Sequence, residues 1–544
     1  MIERAAQHAR RARAEDGFTM LLALGVLLVT GLLLLVTFST VLHDTTESHH
    51  NVVQQEAYYA ALAGVQEYEY KLQANPNYWE NCETLTGNEE SGAVGTSSAI
   101  GEHFEVALLP ASKKSISSCA GSPFETVVEA TGSEANTFRV VSTGCAGEAK
   151  VTTCPSEKEL KEHHHTLAVR QLVATFKVTG FLNYVYFTQY EDIDPSLNGT
   201  SKANCTKYYE EGGVKRSSEC QTLLFATEDS VKGPMHTDDA ANVTCSKELT
   251  FGRKGQQPLD PVEINGGTWP SCGSGSEPTF YTESKTYSKG SELIPPESDE
   301  SLASYAESAY TFEGPIKLFM NGGNNQFGIY SFVNGVWTAK IVAPPPNGLI
   351  YDKNGPGACT FEYKVTENDT PTTEELEKEK NCGIVYVEGT YAKALTIAGL
   401  DVVITGNTYP TTVTTLGNAP TGTATLGLIA TDYVRVYHPC TGAGNQEGYM
   451  TEPFIYAAIL STDGSFLVDN YTCGAPLKKL NVYGAIAQKF RGPVGTGNGA
   501  GTNYSGYLKK YEYDPRLAAE EPPYFLSPLK TGWKIARLTA VKGG

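Results

Sequence analysis

Residues 17–42 read GFTMLLALGVLLVTGLLLLVTFSTVL, and no charged side chain occurs between Phe18 and Leu42. At a rise of about 1.5 Å per residue, a helix of this run reaches about 37 Å. A hydrocarbon core is about 30 Å thick, so the run predicts one membrane-spanning helix. Arg4, Arg10, Arg11 and Arg13 lie upstream, and His43, Asp44 and Glu47 follow. The positive-inside bias then puts residues 1–16 in the cytoplasm and everything after about His43 outside. A cleaved secretory signal has a shorter apolar core followed by small residues; this run has neither feature.

The helical pattern continues past the apolar run. In HNVVQQEAYYAALAGVQEYEYKLQ (50–73), Val53, Ala57, Ala60, Ala61, Gly64, Tyr68 and Leu72 recur at spacings of three and four. That is one apolar stripe with small residues in its middle. Asn75-Pro76 ends it, because proline disfavours helix at the preceding residue. Phe18 to about Ala74 is thus expected as one helix of roughly 85 Å, half in lipid and half packed on a head.

A short basic leader ending in Gly17, with Phe18-Thr19-Met20 opening the apolar helix, resembles the type IV prepilins. QQEAYYAALAGVQEY (54–68) looks like the matching segment of PilX-type minor pilins and bulky pseudopilins. The resemblance implies a prepilin peptidase cutting between Gly17 and Phe18 and methylating the new amino terminus. It implies other pilins or pseudopilins and an inner-membrane assembly platform as partners. It also implies a single-pass protein with its C-terminal part outside the cytoplasm, reaching a surface filament after assembly. One position departs from the family. Most pilins carry glutamate at the fifth residue after the cut, where it pairs with a neighbour's amine; here that position is Leu22. An unpaired carboxylate in lipid is costly, so its loss removes both a penalty and a docking signal. Within the family that loss goes with the filament tip, where no subunit stands above.

Acidic residues outnumber basic ones by 61 to 42, a net charge of −19, which disfavours general binding to phosphate backbones. All twelve cysteines follow the apolar run. An even number on the exterior side predicts disulfides in an oxidising compartment. Sequence order suggests Cys82–Cys119, Cys145–Cys154, Cys205–Cys220, Cys245–Cys272, Cys359–Cys382 and Cys440–Cys473. No close C-x-x-C pair occurs, so no metal site is expected, and no cofactor either.

The exterior portion reads as mainly β. After a polar connection, HFEVALLP, FETVVEATG, TFRVVSTG and TLAVRQLVATFKV between 103 and 180 read as strands of an antiparallel sheet. FRVVSTGCAGEAKVTTC resembles the hairpin with which PilX-like heads cover their helix. From about Phe181, short alternating runs such as IVYVEGTYAKALTIAG, LGLIATDYVRVYHP and KLNVYGAIAQKF recur at roughly 20 to 30 residues, the period of a solenoid. A right-handed parallel β-helix is the expected fold, with a sandwich as the alternative. SDESLASYAESAY and TPTTEELEKEKN read as short helices in its loops. The tract YLKKYEYDPRLAAEEPPYFLSPLKTGWKIARL reads as a cap on its open end. The expected organisation is a leader (1–17), the pilin helix (18–75), a pilin-like sheet (76–180) and a disulfide-stapled head (181–544).

A β-helix can carry polysaccharide chemistry, which needs paired carboxylates or a base with a cation. His236, Asp238 and Asp239 in GPMHTDDA are candidates, as are Asp401 and Asp432; turn chemistry is the commoner use of such residues. His163–His165 read as a solvated polar loop, and GTGNGAG (495–501) as a loop without the lysine of a phosphate site. The chain is therefore read as a non-enzymatic minor pilin or pseudopilin, a tip or initiation subunit of a pilus, secretion or DNA-uptake filament. The rival reading is a permanently anchored adhesin or polysaccharide-acting enzyme.

Overall fold

The computed structural model describes residues 2–75, 78, 90–93, 101–109, 137–147, 153–155, 158, 167–333, 336–361, 363, 379–441, 444–498, 502–529 and 532–541, with main chain alone for 2–19, 38–50, 90, 91, 93, 109, 178, 211, 333 and 441. It is mainly β behind one long helix, α1 (Ile2–Ala74). α1 begins earlier than the apolar run, because the Ala-, Arg- and Glu-rich stretch 2–16 favours helix and holds no glycine or proline. It stops at Ala74, just before Asn75-Pro76. The chain divides into two compact units, Met1–Lys177 with Trp533–Gly544, and Val178–Gly532.

In the first unit, Met20–Thr37 of α1 is long and apolar enough to cross a membrane, and none of it is buried. The upper part of the helix differs. Val53, Ala57, Ala60, Ala61, Gly64, Val65, Tyr68 and Leu72 are all buried, while Gln66, Glu67 and Tyr70 on the far side are exposed. They face a sheet whose order is β1 (Glu90–Ala93), β2 (Gly101–Leu109), β3 (Thr137–Gly147), β4 (Leu167–Val178) and a C-terminal strand, Trp533–Val541. The ladders β1–β2, β2–β3 and β3–β4 are antiparallel.

Small residues set the helix–sheet distance. A β-carbon on Gly144 of β3 would press into the Ala57 carbonyl oxygen and the Ala61 main-chain nitrogen. Aromatics fill the other end: the Phe138 ring lies 5.3 Å from Phe176 and 4.6 Å from Trp533, with Tyr68 behind them. The tract read as a cap is therefore corrected in its last part. Trp533–Val541 completes the first sheet, since Trp533 gains an aromatic pocket there that a solvent-facing cap would not offer. The first unit accordingly takes in both 1–177 and the end of the chain. The segment before that strand lies along the side of the second unit: Thr396 hydroxyl bonds the Pro523 carbonyl, and Phe525 packs near Gly427.

In the second unit the chain enters and leaves side by side, Thr179 N–H donating to the Gly532 carbonyl at 2.8 Å. Its main sheet is mixed, with long parallel ladders. Leu395–Pro410 pairs parallel with Ile384–Tyr391 and Leu426–Val436, and the latter with Phe454–Ser461. Phe454–Ser461 pairs parallel with Pro476–Phe490, which pairs in turn with Tyr186–Tyr190. The registers stack Ile350, Ile397, Leu428, Ile459, Ile486, Tyr186, Met235 and Val262 in one buried column. Each fully buried Ile or Leu there contributes about 1.5–3 kcal/mol relative to exposure. Antiparallel pairing enters at Ile316–Asn321, Gln326–Val333 and Val336–Val342, and at Gly495–Gly497 with Asn503–Tyr513.

SDESLASYAESAY forms two 3-10 turns, Glu300–Ser304 and Ser308–Tyr310, rather than a regular helix. Asp299, at its start, does not cap it because its side chain is engaged by Thr431. Five disulfides join Cys145–Cys154, Cys205–Cys220, Cys245–Cys272, Cys359–Cys382 and Cys440–Cys473. Cys82, Cys119, FETVVEATG, His163–His165 and most of TPTTEELEKEKN lie outside the described residues.

Candidate functional site

Among the described residues, α1 and an acidic cleft in the second unit hold residues that the sequence offered as candidates. Gly17 and Phe18 lie within α1, where the main chain alone is described. Leu22 sits one turn further on, 58% exposed in the bare apolar segment. A surface of Leu, Val and Met with no protein cover is unfavourable in water and favourable in lipid or against like helices. Thr30 and Thr37, the polar residues there, turn their hydroxyls back onto main-chain carbonyls of Val26 and Leu33 at 2.8 and 2.9 Å. That removes their need for water.

The histidine and aspartates of GPMHTDDA are packed into structure. His236 is fully buried, its Nε2 2.8 Å from Asp238 Oδ1 and its Nδ1 2.8 Å from Glu263 Oε2. Tyr184 hydroxyl donates to the same Glu263 oxygen at 2.7 Å. Burial pushes the imidazole toward neutrality, but the hydrogen bonds and charges of Asp238 and Glu263 outweigh it and raise the His236 pKa. Asp239 accepts from Arg216 Nη1 at 2.6 Å and from Glu191 N–H at 2.9 Å. None of these side chains is left open to a substrate.

Asp401 is also engaged, accepting from Arg435 Nε at 3.1 Å and Tyr433 N–H at 3.0 Å. It nonetheless borders a cleft of about 290 Å³ that also holds Asp432, Asp194, Asp463, Lys202 and the rings of Phe361 and Tyr363. Asp194 accepts from Tyr433 hydroxyl at 2.8 Å and Ser196 hydroxyl at 2.6 Å, and Asp463 pairs with Lys202 at 3.3 Å. Burial, then the charges of Asp401, Asp463 and Asp194, push the Asp432 carboxyl up to about 7, against Lys202. The cleft can thus present a carboxylic acid near neutral pH beside hydrogen-bonded carboxylates. Asp194 and Asp463 were not singled out in the sequence: each sits in an ordinary turn context, and only folding brings them to Asp432.

This arrangement has a pH signature. Between the ordinary Asp value of about 4 and about 7, the folded protein holds a proton that the unfolded chain has released. Stability should therefore fall as pH rises through that window and level off above it. Asp432→Asn should lessen the slope and stabilise the protein by about 1–3 kcal/mol near pH ~8, the full shift being discounted for water contact. Urea unfolding at acidic and mildly alkaline pH measures both.

Among the described residues, Asp192 with Cys205 and Cys220 is the one His/Cys/Asp/Glu triple close enough to chelate an ion. Both sulfurs are spent in the Cys205–Cys220 disulfide, so it is not a metal centre. The described part of GTGNGAG forms a hairpin with Asn503–Gly506. No protein-family model, curated protein or solved structure matches this chain.

Proposed function

We propose that this chain is a structural subunit of a type IV pilus-like filament, processed between Gly17 and Phe18 and carried to the filament tip. One observation supports this most: a single continuous helix with a bare apolar lower part and a small-residue stripe buried under an antiparallel sheet higher up. A plain membrane anchor needs only the first of these. In the filament reading, the span Phe18–Leu42 rests in the cytoplasmic membrane and then packs against the same segment of other pilins or pseudopilins. A prepilin peptidase and an inner-membrane assembly platform act on it before and during that transfer. Leu22 offers no charge to a neighbour's amine, which suits a subunit with nothing above it.

The second unit is then a head of β-helix type. The parallel ladders and the buried column from Ile350 to Val262 support that, because such a column is what stacked coils would bury. Its cleft at Asp432 favours the second reading, an anchored surface protein acting on saccharide.

Intact-mass measurement of the membrane-extracted protein separates the two. The filament reading expects a mature chain starting at a methylated Phe18, and retention of the leader in Gly17→Val. A native chain that keeps Arg10 to Arg13 leaves only the anchor.

A further inference from the structure

We propose that the outward face of the antiparallel ladder Ile316–Asn321, Gln326–Val333 and Val336–Val342 is an aromatic platform on which a neutral polysaccharide stacks. The other side of the ladder is spent on the core, where Ile316, Leu318, Met320, Phe327 and Ile329 are all buried. Strand alternation turns the remaining positions away from them. There Phe319 is 42% exposed, Tyr330 39% and Ile341 74%, with Phe332 and Trp337 half-buried beside them. The registers set Phe319 against Gly328 and Ile341, Lys317 against Tyr330 and Ala339, and Phe332 against Trp337. The Phe319 and Tyr330 rings lie 5.5 Å apart, and those of Phe332 and Trp337 5.1 Å apart. Aromatic surface gathered in this way on the outside of a fold marks a place of interaction.

Gly328 is the second observation. It stands inside a strand, between Phe319 and Ile341, and a β-carbon there would meet nothing closer than 3.8 Å. The fold therefore does not require glycine at that place, although glycine weakens a strand and is a sign of close approach by a ligand. With Ala339 next to it, Gly328 keeps the middle of the face low between the rings. Polar groups stand at the margins. Lys317 Nζ lies 4.4 Å from the centre of the Trp337 ring, and exposed Gln326 pairs with exposed Asn321 at the far end. A pyranose has the matching chemistry: a C–H face for the rings, and hydroxyls for an ammonium and amides at their edge.

Size and charge choose this occupant. Three strands about 4.8 Å apart, followed for about four residues, give a face of roughly 200 Å². A stable protein interface takes about 800 Å² from each partner, so a second copy or another globular protein is poorly served. A narrow chain of a few sugar rings covers the face fully. Among the described residues, Lys317 is balanced by Glu388, which stands beside Phe319 on the next strand and accepts from the Thr405 hydroxyl at 3.1 Å. A face with no excess charge, on a chain of net charge −19, does not gather polyanions. The sugar is therefore neutral.

The test runs the full-length protein in detergent through native gels containing soluble β-glucan, galactomannan, dextran or amylose. At least one should retard the native chain, and polygalacturonate, an acidic polymer, should retard it less. Trp337→Ala should weaken the retardation by at least about tenfold in affinity, as loss of a central aromatic anchor does, with the melting temperature unchanged. Gly328→Val fits the open space and suits a strand. It should keep or raise the melting temperature and still weaken retardation, because its methyl groups hold a sugar off the rings. Retardation by none of the four neutral polymers would overturn the proposal, as would stronger retardation by polygalacturonate. Retardation that survives Trp337→Ala and disappears in Asp432→Asn would put the sugar in the acidic cleft instead. Self-association abolished by Trp337→Ala would make the face a contact between copies and equally overturn the proposal.

Discussion

Arg491→Met should destabilise the second unit by about 3–5 kcal/mol, the usual cost of stranding one partner of a buried ion pair. The Arg491 guanidinium is 1% exposed and donates to Glu191 Oε2 at 2.9 Å and to the carbonyls of Leu223 and Leu224 at 3.0 and 3.2 Å. It also lies 3.6 Å from the centre of the Phe225 ring. Methionine fills much of the same space but supplies none of those donors. Glu191, fully buried, would keep its bonds from Tyr186 and Thr188 hydroxyls and lose its paired cation. Adding Glu191→Gln to Arg491→Met should recover part of the loss, because the orphaned charge is then gone. Urea unfolding followed by tryptophan fluorescence reads both variants. Equal destabilisation of single and double variants would show that the carbonyl contacts, not the charge, dominate.

Gly144→Val should cost the first unit about 3 kcal/mol or more, because the added carbons meet main chain rather than a yielding side chain. The helix must then lift off β3 around Ala57 and Ala61. Hydrogen exchange over Val53–Leu72 should accelerate, while the second unit, a separate compact unit, keeps its protection. Unchanged protection of that helical segment would mean that the sheet does not hold the helix as the packing describes.

Much of this architecture was legible in the chain because its signals are local. The apolar run needs only its own residues, and the stripe from Val53 to Leu72 needs only helical spacing. The five disulfides seen link cysteines adjacent in order, which a reading along the chain can reach. What escaped depends on distant residues meeting. Nothing near Trp533 says that its strand belongs beside β4, since its aromatic pocket is built by Phe138 and Phe176. GPMHTDDA looked as open as any polar turn, yet His236 is closed in by Glu263 and Tyr184 from other strands. Asp194 and Asp463 reach Asp432 only through the packing of segments far apart in sequence.

The filament role itself is tested most directly by immunogold labelling of sheared filaments with antibody against the head, residues 178–532. The account predicts label confined to filament ends, one cluster at a tip, and its loss in Gly17→Val cells. Label repeating along the shaft would contradict the tip position, and its complete absence from filaments would contradict the filament role.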